Sequence, residues 1–478
     1  MKSLPVRHLV TADVRPRVCR LTRTQPAPGD VGGYALLATA CALVAWAILL
    51  PAGAAAAEDL RGVVKTRVAQ EYPTLFALYQ QLHANPELSL QEEKTAARVA
   101  EELKHVGCEV TEQVGGHGVV GVLRNGAGPT LLLRADLDAL PVAEKTGLPY
   151  ASKARANDAL GNEVDLMHAC GHDVHMTVLV GTARVLSQLK DRWHGTLVFI
   201  GQPAEETGAG AKAMLSDGLF ARFPKPDWCF AWHVKPEVPA GAVAFTEGAT
   251  FANVDSVDIT VYGVGGHGSA PQTTRDPVVL AAQIVLALQT IVSRELTPGE
   301  PAVVTVGSIH GGTKHNIIPD EVRLQLTLRS YSRETRERMI AAIRRITRGL
   351  GLATGLPEER LPVVTASKEG LPAAYNDPKL TRRLTAVFKN WLGESQVRET
   401  KPTMGGEDFG LYGQTADRIP ISLFWLGSSD PAAVAESEKT GQPLPSAHSS
   451  LFAPVPEPTI KTGVTAMTAA VLELLRPQ

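Results

Sequence analysis

The sequence predicts an α/β protein: a mostly parallel sheet flanked by helices, interrupted once by a small α+β unit. Three observations predict this. Helical patterns alternate with short apolar runs from residue 60 to residue 250. Between 251 and 367 the order becomes strand, helix, strand, strand, helix, strand. After 368 the α/β alternation resumes. The expected layout is therefore a main domain built from 58–250 and 368–478, with a second domain inserted at 251–367.

The first 57 residues stand apart. Lys2, Arg7, Arg15, Arg17, Arg20 and Arg23 outnumber Asp13 and Asp30. Tyr34–Leu50 is uncharged and apolar, Pro51 and Gly53 break it, and an alanine run ends before Glu58. A basic region, an apolar region and small Ala-x-Ala residues make a secretory signal peptide, with cleavage expected after Ala57. The competing reading is an uncleaved membrane anchor over 34–57. The expected location is accordingly periplasmic or secreted, or tethered to the membrane.

The main-domain elements follow in order. Leu60, Val64, Val68, Leu75, Leu78 and Leu82 fall roughly on one face, which predicts a helix over 60–83. A second helix is expected over 92–106, closed by Gly107. Strands are expected at 119–123, 130–134, 196–200 and 228–232, with a helix over 177–190. In the insert, strands are expected at 255–262, 302–309, 322–330 and 361–366, with helices at 277–294 and 334–350. A helix at 380–392, a strand at 421–426 and a helix at 458–475 complete the chain. At 478 residues and 44% apolar, the chain has ample core. A net charge of −2 gives no general pull toward nucleic acid. Five cysteines, of which three lie beyond residue 57, do not form a disulfide framework.

Polar residues fall where such folds bind ligands, beyond the carboxyl ends of the strands. Strand 130–134 runs into Asp136 and Asp138, strand 196–200 into Glu205 and Glu206, and strand 228–232 into His233. His448 follows the strand at 421–426 after a loop. The segment 167–175, MHACGHDVH, is the densest in chemistry. Cys170 and His172 are two apart, a spacing that in an extended segment points both to one side. A thiolate with an imidazole suits Zn²⁺ better than Mg²⁺ or Ca²⁺. Cys170, His172, Glu206, His233 and His448 exceed the ligands of one catalytic zinc. They suit two divalent ions about 3.5–4 Å apart with one bridging group. Glu205 is then free to act as general base or to support a ligand.

These residues, in this order, resemble the M20 metallopeptidases. They look most like the N-acyl-amino-acid amidohydrolases that include hippurate hydrolases and indole-acetyl-amino-acid hydrolases. The resemblance runs through LHANPELSLQEE (82–93), RADLDALP, MHACGHDVH, GQPAEE, AWHV, GGHGSAP (265–271), HNIIPD (315–320) and GGEDFG (405–410) to His448. It implies a zinc-aminopeptidase-like catalytic domain with an inserted ferredoxin-like lid and dimerisation domain. It implies hydrolysis of the amide of an N-acyl amino acid, assisted by two ions, Zn²⁺ or Mn²⁺ ahead of Co²⁺ or Ni²⁺. Cys170 then bridges, and His172, Glu206, His233 and His448 are the other ligands. Glu205 is the base, and Asp138 orients a ligand. His267 stabilises the oxyanion, often across a homodimer. Asn316 and Arg329 bind the substrate carboxylate. The alternatives are a dipeptidase of the same fold and an inactive binding protein on the same scaffold. The chain departs from the pattern in two places: the last motif reads AHSSLF without a nearby proline, and the basic N-terminus is long.

Overall fold

The computed structural model describes residues 59–367 and 370–477. The export or anchor segment, 1–57, lies outside the described residues. An eight-stranded sheet organises the molecule. Its order is Glu109–Thr111, Val119–Asn125, Gly195–Gln202, Thr130–Asp136, Trp228–Pro239, Ile421–Ser429, Val243–Phe245, Val397–Glu399. The middle four strands are mutually parallel. Strand Gly195–Gln202 is buried along its whole length, as expected of a parallel strand covered on both faces. The short strands at 109–111, 243–245 and 397–399 carry too little apolar pattern to be read from sequence.

Helices Leu60–Ala84, His172–Ser187 and Pro456–Leu474 share one core with Leu131, Leu133, Phe199 and Trp232. Leu132, Ala231 and Leu423 face a second core with Met214, Phe409 and Tyr412. One helix corrects the sequence reading. The element expected at 177–190 is His172–Ser187, so it begins inside the Cys/His segment. Gly171, at φ 78° and ψ 26°, occupies its N-cap position. A glycine takes this left-handed conformation without the Cβ penalty, which lets the chain turn into the helix here. The premise of an extended Cys170–His172 segment therefore fails.

The elements between Asn253 and Ala366 form a separate antiparallel sheet. Its order is Ala302–Gly311, Glu321–Ser330, Asn253–Tyr262, Val363–Ala366, the arrangement of a ferredoxin-like unit. Strand Asn253–Tyr262 alternates buried and less buried positions, so one face meets the helices. Val257, Ile259 and Val261 pack there against Leu280, Ile284, Met339 and Ile343. Among the described residues, strand Ala302–Gly311 has a neighbour on one side only.

Candidate metal centre

The parallel strands deliver the polar residues to one region. His233 lies within Trp228–Pro239 and pairs in register with Trp425. Its Nδ1 donates to the Val234 carbonyl at 2.8 Å, which leaves Nε2 with a free lone pair. Glu205 and Glu206 follow strand Gly195–Gln202 in a turn where Ala204 takes φ 51°. Buried Glu92 holds that turn by accepting from the Ala204 N–H at 2.7 Å. The Glu206 N–H donates to Asp138 Oδ2 at 2.9 Å.

His172 is fully buried, and its Nδ1 donates to the Asp138 carbonyl at 2.8 Å, with Asp138 Oδ1 at 3.3 Å. Asp138 therefore contacts both His172 and the Glu206 backbone. Cys170 Sγ lies 3.4 Å from His233 Nε2. Cys170, His172 and His233 have ligand atoms within 4.8 Å of one another, and so do Cys170, Glu206 and His448. The two triads share Cys170. His448 reaches the site from a distant loop, its Nε2 3.5 Å from Glu206 Oε2.

This donor set fits divalent cations. Buried His172 Nε2, Glu206 Oε1 and Asp138 Oδ1 have no hydrogen-bond partner among the described residues. Such orphans are costly unless something satisfies them. The surroundings are rich in carboxylates: Asp136, Asp138, Glu205, Glu407 and Asp408 are buried there, and Arg134 is the one buried guanidinium among the described residues. Burial, then the neighbouring Glu407, Glu206 and Asp408, push the Glu205 carboxyl well above its ordinary value. Burial opposes a proton on His172, yet the charges of Asp136 and Cys170 raise its pKa well above the usual histidine value. Hydrogen bonds that the His448 imidazole donates to Cys170 and Glu206 raise its pKa to about 10. Burial and the neighbouring His175 hold His233 well below the usual histidine value, which keeps its imidazole neutral.

His175, also in the Cys/His segment, is not available as a ligand. Its Nδ1 donates to Asp136 Oδ1 at 2.6 Å, and its Nε2 accepts from the Val234 N–H at 2.9 Å. Burial pushes His168 down to about 4 and keeps it neutral.

A cavity of about 560 Å³ opens beside the cluster. Cys170, Glu205, Glu206, His233 and His448 line it, together with Phe251, Trp425, Lys235, Thr403, Gly406 and Arg329. Arg329 is half-buried and donates to Thr327 Oγ1 at 3.2 Å. His267 and Asn316 are elsewhere. Both are exposed, on the ribbon that pairs Gly266–His267 with Ile317–Ile318. His267 Nδ1 accepts from the Ser269 N–H at 3.1 Å and meets its hydroxyl at 2.8 Å. A single chain therefore brings Arg329 to the cavity but not Asn316 or His267.

Sequence reasoning missed the floor of the site. Arg134 Nη1 donates to Asp136 Oδ2 at 2.6 Å, Nη2 to Glu407 Oε1 at 2.9 Å and Asp408 Oδ1 at 3.1 Å, and Nε to Gln202 Oε1 at 3.1 Å. An arginine in the otherwise apolar run TLLLRAD was a usable signal, because an arginine is rarely buried unless paired. Its partners at 407 and 408 carried no such mark.

Residues 132–443 match the sequence profile of peptidase family M20/M25/M40. Thermostable carboxypeptidase 2 of Saccharolobus solfataricus is 37% identical over 412 residues, covering 85% of this chain and 97% of that protein. Hippurate hydrolase of Campylobacter jejuni is 40% identical over 334 residues, covering 70% of this chain and 83% of that protein. Among solved structures, the Bacillus subtilis YXEP protein, a dinuclear metal-binding M20 peptidase, aligns with a TM-score of 0.68 at 28% identity. That alignment covers 85% of this chain and 99% of that one.

Proposed function

Because the chain belongs to peptidase family M20/M25/M40 and is a metal-dependent hydrolase, we propose that it cleaves N-acyl amino acids to a carboxylic acid and a free amino acid. The observation that carries this reading is the pair of donor triads sharing Cys170, beside Glu205 and a cavity that Arg329 also lines. Cys170, His172, His233, Glu206 and His448 would hold two divalent ions, Cys170 being the donor common to both triads. Two divalent ions in that set, Zn²⁺ or Mn²⁺ ahead of Co²⁺ or Ni²⁺, supply the charge that activates water and polarises the amide carbonyl.

The chain's own residues do the rest. Glu205 removes the proton from the attacking water and passes it to the leaving amide nitrogen. Arg329 receives the free carboxylate of the amino acid through its planar fork. Phe251 and Trp425, with ring centroids 4.8 Å apart and planes tilted by 36°, offer an aromatic wall to the acyl group, and Lys235 lies 4.4 Å over the Trp425 ring.

His267 and Asn316 enter the reaction from a second copy of the chain. The exposed edge strand Ala302–Gly311 and the apolar outer face of helix Pro277–Thr290 support a homodimer through this small sheet. The N-terminal segment directs export, or tethers the protein through 34–57. An inactive binding protein is disfavoured, since Glu205 and the complete ligand set are retained.

The test is amide hydrolysis by protein stripped of metal and reloaded separately with Zn²⁺, Mn²⁺, Co²⁺ or Ni²⁺. The substrates are N-acetyl, N-benzoyl and indole-acetyl amino acids together with dipeptides. Metal-dependent release of free amino acid from the acylated set is expected. Turnover of dipeptides alone would replace this reading with that of a dipeptidase. No turnover at all, from folded protein holding two ions, would sink it.

A further inference from the structure

Behind the metal centre sits a buried trio that the reaction does not use. His83 Nδ1 is 2.7 Å from Asp173 Oδ2, and His83 Nε2 is 3.1 Å from Glu144 Oε1. All three side chains are at most 1% exposed. Asp173 directly follows His172 on its helix, so one end of the trio is fixed to a ligand-bearing element.

The other end is a loop gathered around a single carboxylate. Glu144 Oε1 also accepts from the Thr146 hydroxyl, and Oε2 accepts from the Ser152 N–H at 2.6 Å. The next residue carries the connection onward. The Lys145 N–H donates to the Ser450 carbonyl at 2.8 Å, two residues past His448. From the opposite side, the His448 N–H donates to the Ala169 carbonyl at 2.8 Å, one residue before Cys170. The His448 loop therefore hangs between two backbone hydrogen bonds. His448 itself sits at φ 69°, a left-handed conformation that a non-glycine residue keeps only when its surroundings hold it. Its side chain is 55% exposed, so side-chain packing does little to place it.

We propose that Glu144 is a positioning residue for His448. Through the Lys145 N–H and the Ser450 carbonyl, it fixes the loop that brings the His448 imidazole to Cys170 and Glu206. Through His83 and Asp173, the same carboxylate references that loop to the helix of His172. It thereby sets the spacing between the two halves of the metal site without touching either half. The inference rests on the reading of His448 as a ligand.

The experiment titrates metal-free full-length protein with Co²⁺ alone and follows both binding steps. Wild type is expected to take up two ions. Glu144→Gln, whose amide offers one acceptor oxygen where the carboxylate offers two, should keep the first step and weaken the second at least about tenfold, as supporting hydrogen bonds around metal ligands do when removed. His448→Ala should weaken the same step. Thr146→Val, which leaves the buried charges in place and removes only one bond to Glu144, should weaken that step less, and it serves if Glu144→Gln does not fold. Wild-type affinity for both ions in Glu144→Gln, or in Thr146→Val should it stand alone, would overturn the proposal even if melting temperature fell. Equal weakening of both steps would overturn it too, because that is general loosening. If His448→Ala leaves both steps unchanged, the ligand reading of His448 fails and takes this inference with it; the amidohydrolase reading is then still judged by turnover.

Discussion

Arg134 donates to Glu407 across 2.9 Å, with both side chains fully enclosed and 273 positions apart in the chain. Asp136 and Asp408 complete the contact, so one guanidinium balances three buried carboxylates. Removing one partner of a buried pair costs about 3–5 kcal/mol, because the charge left behind is neither solvated nor paired. Arg134→Met is therefore expected to lower stability by roughly that amount, read from urea unfolding of the metal-free protein. An unchanged unfolding midpoint would show that Glu407 and Asp408 take up protons without cost.

Glu205 is placed as the base that shuttles a proton from water to nitrogen. Glu205→Gln should retain both metal ions while kcat drops roughly 10²–10⁴-fold. Metal content and turnover measured on the same sample decide the matter. Full activity in that variant would move the proton-transfer role to another group.

Gly171 lies between Cys170 and His172 at φ 78°, and a Cβ there would stand 2.6 Å from Val234 Cγ2. Val234 is buried and cannot step aside freely. Gly171→Ala should cost about 1–2 kcal/mol in backbone strain alone, and the clash should displace Cys170 or His172. Competition with a chelator should show weaker metal retention than in wild type. Unaltered retention would mean that the helix start tolerates a side chain.

His83 yields a pH dependence. Burial disfavours its charged form, but hydrogen bonds and charge from Asp173 and Glu144 raise its pKa from 6.5 to about 10. A group whose folded pKa is raised stabilises the fold fully below its unfolded pKa, and that contribution is lost as pH rises through the folded value. The His83 contribution should thus be complete below pH 6.5 and disappear through pH 10. Asp173 and Glu144 are held below their ordinary values, so their contribution fades at acid pH and does not overlap this window. Between pH 7 and 10.5, wild type should lose more stability than His83→Gln in urea titrations. Parallel curves would refute an imidazolium in the trio.

The outer face of helix Pro277–Thr290 exposes Leu286 at 73%, and the edge strand exposes Ile309 at 54%. If these surfaces join two chains, Leu286→Glu together with Ile309→Lys should convert a dimer to a monomer in sedimentation velocity. Wild type already monomeric at micromolar concentration would remove the route by which His267 and Asn316 reach the site.

Much of this architecture was legible from local pattern. The alternation of Asn253–Tyr262 and the apolar run Thr196–Ile200 encode strands because burial on one face or both leaves a periodic trace. Cys170, His172, Glu206 and His233 stood out because buried or metal-binding chemistry is rare among such residues elsewhere. The start of the helix at His172 was not legible, since a glycine both breaks helices and begins them, and only its φ decides.

The sequence by itself determined which residues could hold cations and at which strand ends they stand, because propensity and periodicity act over a few neighbours. The tertiary structure alone decided that His448 closes on Cys170 and Glu206, and that Arg134 meets Glu407 and Asp408. It alone placed Arg329 in the cavity while leaving His267 and Asn316 on an exposed ribbon. Those outcomes depend on how distant segments pack, which local sequence pattern does not record.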